Sequence, residues 1–232
     1  MAAEFIDIPS GDGRTFAAYH SPPPDGTGPL IVLCQEIFGI NRHIREVADQ
    51  WASLGYHVLA PDLFWRLEQR VELGFEGADL EKARALYARL DIDGAIADVL
   101  RTMEHGARLA GTSGKVGLLG FCFGGKLIYL CAEAGSPDCA IGYYGVGLEK
   151  MLDRLGGIDC PLLLHFGAED GATPREATDA VAGAVGARPG SAVHVYPGAL
   201  HGFNNWRKKT FNAPESQKAF ARSLAFARAT LG

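Results

Sequence analysis

Lys115-Val-Gly-Leu-Leu-Gly120-Phe-Cys122-Phe-Gly124-Gly125-Lys126 is an apolar run that ends in Gly-x-Cys-x-Gly-Gly and passes at once into a helix-forming stretch, Lys126–Ala134. Strand, sharp turn and helix in that order, with a nucleophilic side chain at the turn, is the pattern of a nucleophile elbow. Such a turn forces backbone angles that side chains tolerate poorly, so the positions two residues away must be small. It lifts the Cys122 sulfur above the end of the strand. It also aims the amide N–H of Phe123, at the helix start, toward a developing oxyanion. Gly-x-Cys-x-Gly alone is a weak signal, and a glycine turn can serve tight packing only. The strand before it, the helix after it and the second glycine at 125 favour the reactive reading.

Working outward from this turn, β-branched apolar runs alternate with helical periodicity along the whole chain. Strands are expected at Phe5–Ile8, Phe16–His20, Leu30–Glu36, His57–Pro61, Val116–Phe121, Cys139–Tyr144, Pro161–Phe166 and Ala192–Tyr196. The first two, joined through Gly11-Asp-Gly13, read as an antiparallel hairpin. The inner runs are continuously apolar, as parallel strands covered on both faces must be. Helices are expected from Asn41 as a cap through Leu54, at Asp79–Leu90, at Ile92–Ala110 and after Gly124. Two more should open at Pro174 and Pro214, read as first-turn prolines, and run toward Val185 and Leu231. This alternation predicts an α/β protein with a mostly parallel sheet and helices on both faces. No repeat or long linker divides the chain, so residues 1–232 are expected to form a single domain.

Composition narrows the function. The chain has 232 residues, a formal net charge of −5 and no basic concentration beyond Arg207-Lys208-Lys209, which argues against a nucleic-acid partner. Acidic residues interrupt the N-terminus before any apolar run builds, and the apolar runs are strand-sized. Neither a secretory signal nor a membrane span is expected, and the cytoplasm is the expected location. Five scattered cysteines with no C-x-x-C pair suit neither a disulfide framework nor a zinc site. Most read as small buried hydrophobes, with Cys122 the exception.

A nucleophilic thiol needs a base, and the base needs an orienting group. Downstream of the elbow, Pro161-Leu-Leu-Leu-His165-Phe-Gly167-Ala-Glu169-Asp170 is a buried strand ending in two carboxylates. Val193-His194-Val-Tyr196-Pro-Gly198-Ala-Leu200-His201-Gly202 is a strand running into a loop histidine. Both candidates lie at strand C-terminal ends, where α/β sites assemble. Glu169 reads as an exposed loop carboxylate and Asp170 as the acid. His165 and His194 sit inside apolar strands and read as core or face residues, which leaves His201 as the base. Upstream, Leu30-Ile-Val-Leu-Cys34-Gln-Glu36-Ile37-Phe38-Gly39 ends a strand on a carboxylate. Glu36 reads either as a solvated strand-end residue or as a charge that opposes thiolate formation at Cys122 by like-charge repulsion.

These segments together resemble the dienelactone hydrolase (carboxymethylenebutenolidase) family, over nearly the whole chain. The residues that carry the likeness are Gln35-Glu36-Ile37-Phe38-Gly39, Ala60-Pro61-Asp62-Leu63, Gly120-Phe-Cys122-Phe-Gly124-Gly125, Gly142-Tyr-Tyr144-Gly-Val146-Gly147-Leu-Glu149-Lys150 and the Asp170 and His201 loops. The resemblance implies an α/β-hydrolase fold, Cys122 as nucleophile, His201 as base, Asp170 as its orienter and Glu36 as a gate on the thiol. It implies an oxyanion hole from the amides of Ile37 and Phe123, an acyl-thioester intermediate, and no cofactor or metal. Implied substrates are small lactones bearing a carboxylate, which the family holds with two arginines. Leu80 and Asn205 stand at those positions here, so Arg84, one helical turn from Leu80, and Arg207 are the candidate substitutes. Phe38, Tyr87, Tyr144 and Phe203 are candidate pocket residues, with a core role open for each. A broad carboxylesterase acting on substrates without a carboxylate is the alternative, and a non-catalytic thiol sensor or ligand-binding module a lesser one. The expected partner is a small ester or lactone, with the chain a monomer or small homo-oligomer.

Overall fold

Residues 2–232 are described by a computed structural model. The chain divides into two compact units, Met1–Val116 and Gly117–Gly232. In the first, β1 (Glu4–Pro9) and β2 (Thr15–Ser21) form the expected hairpin, with Phe5 opposite Tyr19 and Ile8 opposite Phe16. Next comes β3 (Gly28–Cys34), and β4 (His57–Pro61) then lies antiparallel to β2 and parallel to β3. The burial pattern separates the two kinds of strand. β1 mixes exposed and buried positions, whereas β4 is buried throughout and β3 from Pro29 to Cys34.

Helix α1 (Arg42–Ala52) packs on β2 and β4 through Ile44, Val47, Ala48 and Trp51, a stripe at three- and four-residue spacing. Asn41 caps it: the side-chain oxygen accepts from the Ile44 amide at 3.3 Å, and its amide donates to the Leu73 carbonyl at 3.1 Å. α2 (Gly77–Ala88) buries Ala83 and Leu86 in an apolar cluster with Phe38, Phe64, Val71 and Leu73. α3 (Ile92–Gly106) packs on β1, β3 and β4.

The second unit is an all-parallel ladder. β5 (Thr112–Phe121), which enters this unit at Gly117, pairs with β6 (Cys139–Tyr143), which pairs with β7 (Leu162–Gly167), which pairs with β8 (Ala192–Tyr196). α4 (Phe123–Ala134) packs on β6, α5 (Arg175–Gly186) on β8, and α6 (Ala213–Leu231) on β6 and β7.

The α/β class and the strand order along the chain match the sequence reading, while several boundaries move. β3 ends at Cys34, so Gln35 and Glu36 have left the strand yet stay buried. α3 stops at Gly106 because the next three residues wind as tight turns, the Arg108 amide donating to His105 and Leu109 to Gly106. Pro174 is the cap before α5, not a residue of its first turn, whereas Pro214 does lie in the first turn of α6. A 3-10 segment at Leu148–Gly157, broken at Met151, was not expected. Among the described residues no helix is long and apolar enough to cross a membrane.

Candidate active site

β5 ends at Phe121 and α4 begins at Phe123, so Cys122 alone makes the turn. Its φ is 55° and ψ −114°, a conformation that costs a side-chain residue about 1–3 kcal/mol. The strain is held by the Cys122 amide, which donates to the Tyr143 carbonyl at 2.9 Å, and by the first turn of α4, where the Lys126 amide donates to the Cys122 carbonyl. The flanking glycines are required by contact. A Cβ on Gly120 would lie 2.2 Å from the Gly124 carbonyl oxygen, and one on Gly125 would lie 2.8 Å from the Tyr143 oxygen. Phe123 opens α4, so its amide stands at the positive end of the helix beside the sulfur.

All five cysteines are free, and Cys122 is the partly exposed one. Burial pushes the Cys34 thiol far up, Cys139 to about 12 and Cys160 to about 11. Those three are inert at neutral pH and Cys131 is fully buried, so the elbow is where thiol chemistry can occur.

Asp170 follows β7 and is buried, while Glu169 beside it faces solvent. An Asp170 oxygen lies 2.8 Å from His201 Nδ1, and its other oxygen accepts from the Ala172 amide at 2.8 Å. Burial opposes ionisation of Asp170, yet the hydrogen bond and charge of His201 outweigh it and lower its pKa. Burial likewise opposes charge on His201. Hydrogen bonds to Asp170 and to Cys122 outweigh it there too and raise the imidazole to about 10. With Nδ1 held by Asp170, Nε2 is the nitrogen left for the sulfur. The edge of the Tyr144 ring packs on His201 with centroids 5.0 Å apart, and Tyr144 has a φ of 41°.

The second unit thus brings Cys122, Asp170, His201 and Tyr144 together. Phe203 is fully buried against Tyr143, Tyr144 and Tyr196, so it supports the His201 loop from beneath. Arg207 is exposed in the turn beyond, its amide donating to Asn205 Oδ1 at 3.0 Å. In the first unit, Glu36 is 2% exposed and Ile37 half-buried on the loop after β3. Phe38 is buried edge-on against Phe75, with ring centroids 5.0 Å apart. Tyr87 is half-buried on α2. Arg84, four residues from Leu80, does not share its surroundings. Leu80 packs on the apolar cluster, while the Arg84 guanidinium is in solvent, 2.9 Å from Glu81. Among the described residues no group of three or more His, Cys, Asp or Glu is arranged to hold a metal ion. Sequence reasoning missed Tyr143, whose carbonyl holds the elbow. The Gly142-Tyr-Tyr144-Gly block was the available signal.

Residues 16–231 match the profile of the dienelactone hydrolase family. The chain belongs to the dienelactone hydrolase family. It is 35% identical over 227 residues to the carboxymethylenebutenolidase of Pseudomonas putida, covering 97% of this chain and 96% of that one. It is 32% identical over 225 residues to carboxymethylenebutenolidase 1 of Cupriavidus pinatubonensis, covering 97% and 96%. A solved structure assigned as a dienelactone hydrolase from Klebsiella pneumoniae superposes with a TM-score of 0.85 at 28% identity, over 97% of this chain and 98% of that one. The fold is the α/β-hydrolase fold, and this dienelactone hydrolase family member is a carboxylic ester hydrolase.

Proposed function

We propose that the chain opens small lactones or esters through an acyl-thioester on Cys122, with His201 as base and Asp170 as its orienter. The observation that carries this is the continuous contact from Asp170 through His201 to Cys122 at a strained elbow. The thiol proton passes to His201 Nε2, where the raised imidazole favours it, and the imidazolium so paired with the sulfur is stabilised by buried Asp170. The sulfur attacks the carbonyl carbon. The oxyanion forms toward the Phe123 amide, collapses, and expels the ring oxygen, which takes a proton from His201. Water, deprotonated by the same imidazole, then cleaves the thioester to give the open-chain acid and the free thiol. We assign the Ile37 amide and Glu36 to this reaction as second oxyanion donor and thiol gate, on the strength of the family resemblance.

A second reading is supported by the surroundings of α2. Leu80 lies in an apolar cluster and Arg84 is engaged with Glu81, which favours substrates without a carboxylate. The test is the initial rate of dienelactone opening, followed by loss of ultraviolet absorbance, beside a neutral aryl ester, each with Cys122→Ala alongside. Turnover of either substrate should vanish in the variant, and Cys122→Ala with wild-type rates on both would overturn the nucleophile. Preference for the neutral ester would select the second reading.

A further inference from the structure

Beneath the elbow runs a buried polar chain that the reaction itself does not use. Ser223, on α6 and with no exposed surface, lies 2.7 Å from the Tyr143 hydroxyl and 2.9 Å from His165 Nε2. His165 Nδ1 lies 2.8 Å from the Tyr196 hydroxyl, and the Arg222 guanidinium lies over the Tyr196 ring, 5.4 Å from its centroid. At the other end the Asn204 side chain hydrogen-bonds Tyr143. A buried polar network of this kind is either fully satisfied and rigid or costly.

Burial keeps His165 neutral, so one ring nitrogen donates and the other accepts. The hydroxyls of Tyr196, Ser223 and Tyr143 must then all point the same way along the chain, toward one end or the other.

Each catalytic loop is tied to a member of this chain. The Cys122 amide donates to the Tyr143 carbonyl at 2.9 Å, and the Tyr144 amide to the His165 carbonyl at 2.7 Å. These bonds hold two residues with positive φ. The Asp170 loop hangs on the Tyr196 carbonyl through the Ala168 amide at 2.9 Å. The His201 loop is tied to Tyr143 through Asn204, three residues on.

We infer that the chain Tyr196–His165–Ser223–Tyr143 is the positioning device of the triad: one hydrogen-bonded relay, locked at Ser223, that sets the three catalytic loops against one another. This rests on the triad reading above. None of its members touches substrate; they are positioning residues.

The test is Ser223→Ala, with Tyr143→Phe as an independent break in the same chain. Misplacing the sulfur or the imidazole by a fraction of an ångström is expected to lower kcat by about 10- to 100-fold while KM stays within about twofold. The pH profile of kcat should shift, because the His201–Cys122 contact is what moves. Cys122 alkylation by iodoacetamide, which needs no substrate, should change its rate and pH dependence in the same variants. The double variant should be no slower than the slower single, since one break interrupts the relay. Thr102→Val, which removes an equally buried hydroxyl on α3 bonded to the Asp98 carbonyl at 2.7 Å, should change stability and leave kcat alone.

If Ser223→Ala and Tyr143→Phe keep wild-type kcat, pH profile and alkylation rate while only the melting temperature falls, the chain is structural and the inference is wrong. Retained turnover in Cys122→Ala would instead overturn the triad reading. Alkylation at Cys122 would still report whether the relay positions the elbow, so the two failures are distinct.

Discussion

Cys122 combines a reactive side chain with a backbone conformation that suits glycine better, its φ of 55° being held by the Tyr143 carbonyl. The strain points the sulfur away from both strand and helix, and the folded state carries its cost. Removing the side chain should therefore relax the turn. Cys122→Gly is expected to stabilise the protein by about 1 kcal/mol, the strain relieved less the greater freedom of glycine in the unfolded chain, while abolishing turnover. Urea unfolding of the two proteins measures this, and a variant less stable than wild type would mean the elbow stores no strain. Asp170 and His201 need no such distortion. Each sits in a loop just past a parallel strand, and the 2.8 Å bond between them ties the two loops.

At the scale of elements, caps and boundaries decide where the chain turns. Asn41 serves two backbone groups at once, the Ile44 amide in the first turn of α1 and the Leu73 carbonyl. Asn41→Ala should cost about 1–2 kcal/mol, seen as a lowered melting temperature, with Asn41→Ser recovering the cap but not the Leu73 contact. A loss no larger for Ala than for Ser would remove the cap from the account. The cap, the hairpin, the parallel strands and the elbow were legible because each depends on residues close in sequence. So was the order of Cys122, Asp170 and His201 along the chain, since the fold fixes which strand ends carry them. The end of β3 was not, because Gln35 and Glu36 are buried like strand residues although they have left the ladder. The surroundings of Arg84 were not legible for a related reason. Four-residue spacing places it near Leu80 along α2, while its guanidinium lies in solvent 2.9 Å from Glu81. The role of His165 was hidden too. In sequence it is one polar residue in an apolar strand, and its partners Tyr196 and Ser223 lie 31 and 58 positions away.

Across the whole molecule the histidines set how stability depends on pH, and they fall into two groups of opposite sign. Burial lowers His20 to about 4 and also lowers His57, His165 and His194. Below the ordinary value of 6.5 the unfolded chain takes up protons at these sites that the folded chain refuses, so stability falls as pH falls. For His20 that loss is complete near pH 4. Asp170, with its pKa lowered, adds to the acid side, its contribution being present above 3.8 and lost as pH falls through its folded value. His201, raised to about 10, acts the other way. Its contribution is full below 6.5, shrinks as pH rises and is gone above about 10. From about 9 upward the buried thiols Cys34, Cys139 and Cys160 reinforce the decline, because the unfolded chain ionises them first. The urea midpoint should therefore peak near pH 6.5 and fall on both sides. Two variants separate the limbs: His20→Asn should flatten the fall between pH 6.5 and 4, and His201→Asn the fall between 6.5 and 10. A midpoint that rises from pH 6.5 to 4.5 would show that the buried histidines are charged in the folded protein. Neutral His165, and with it the one-way relay beneath the elbow, could then not stand.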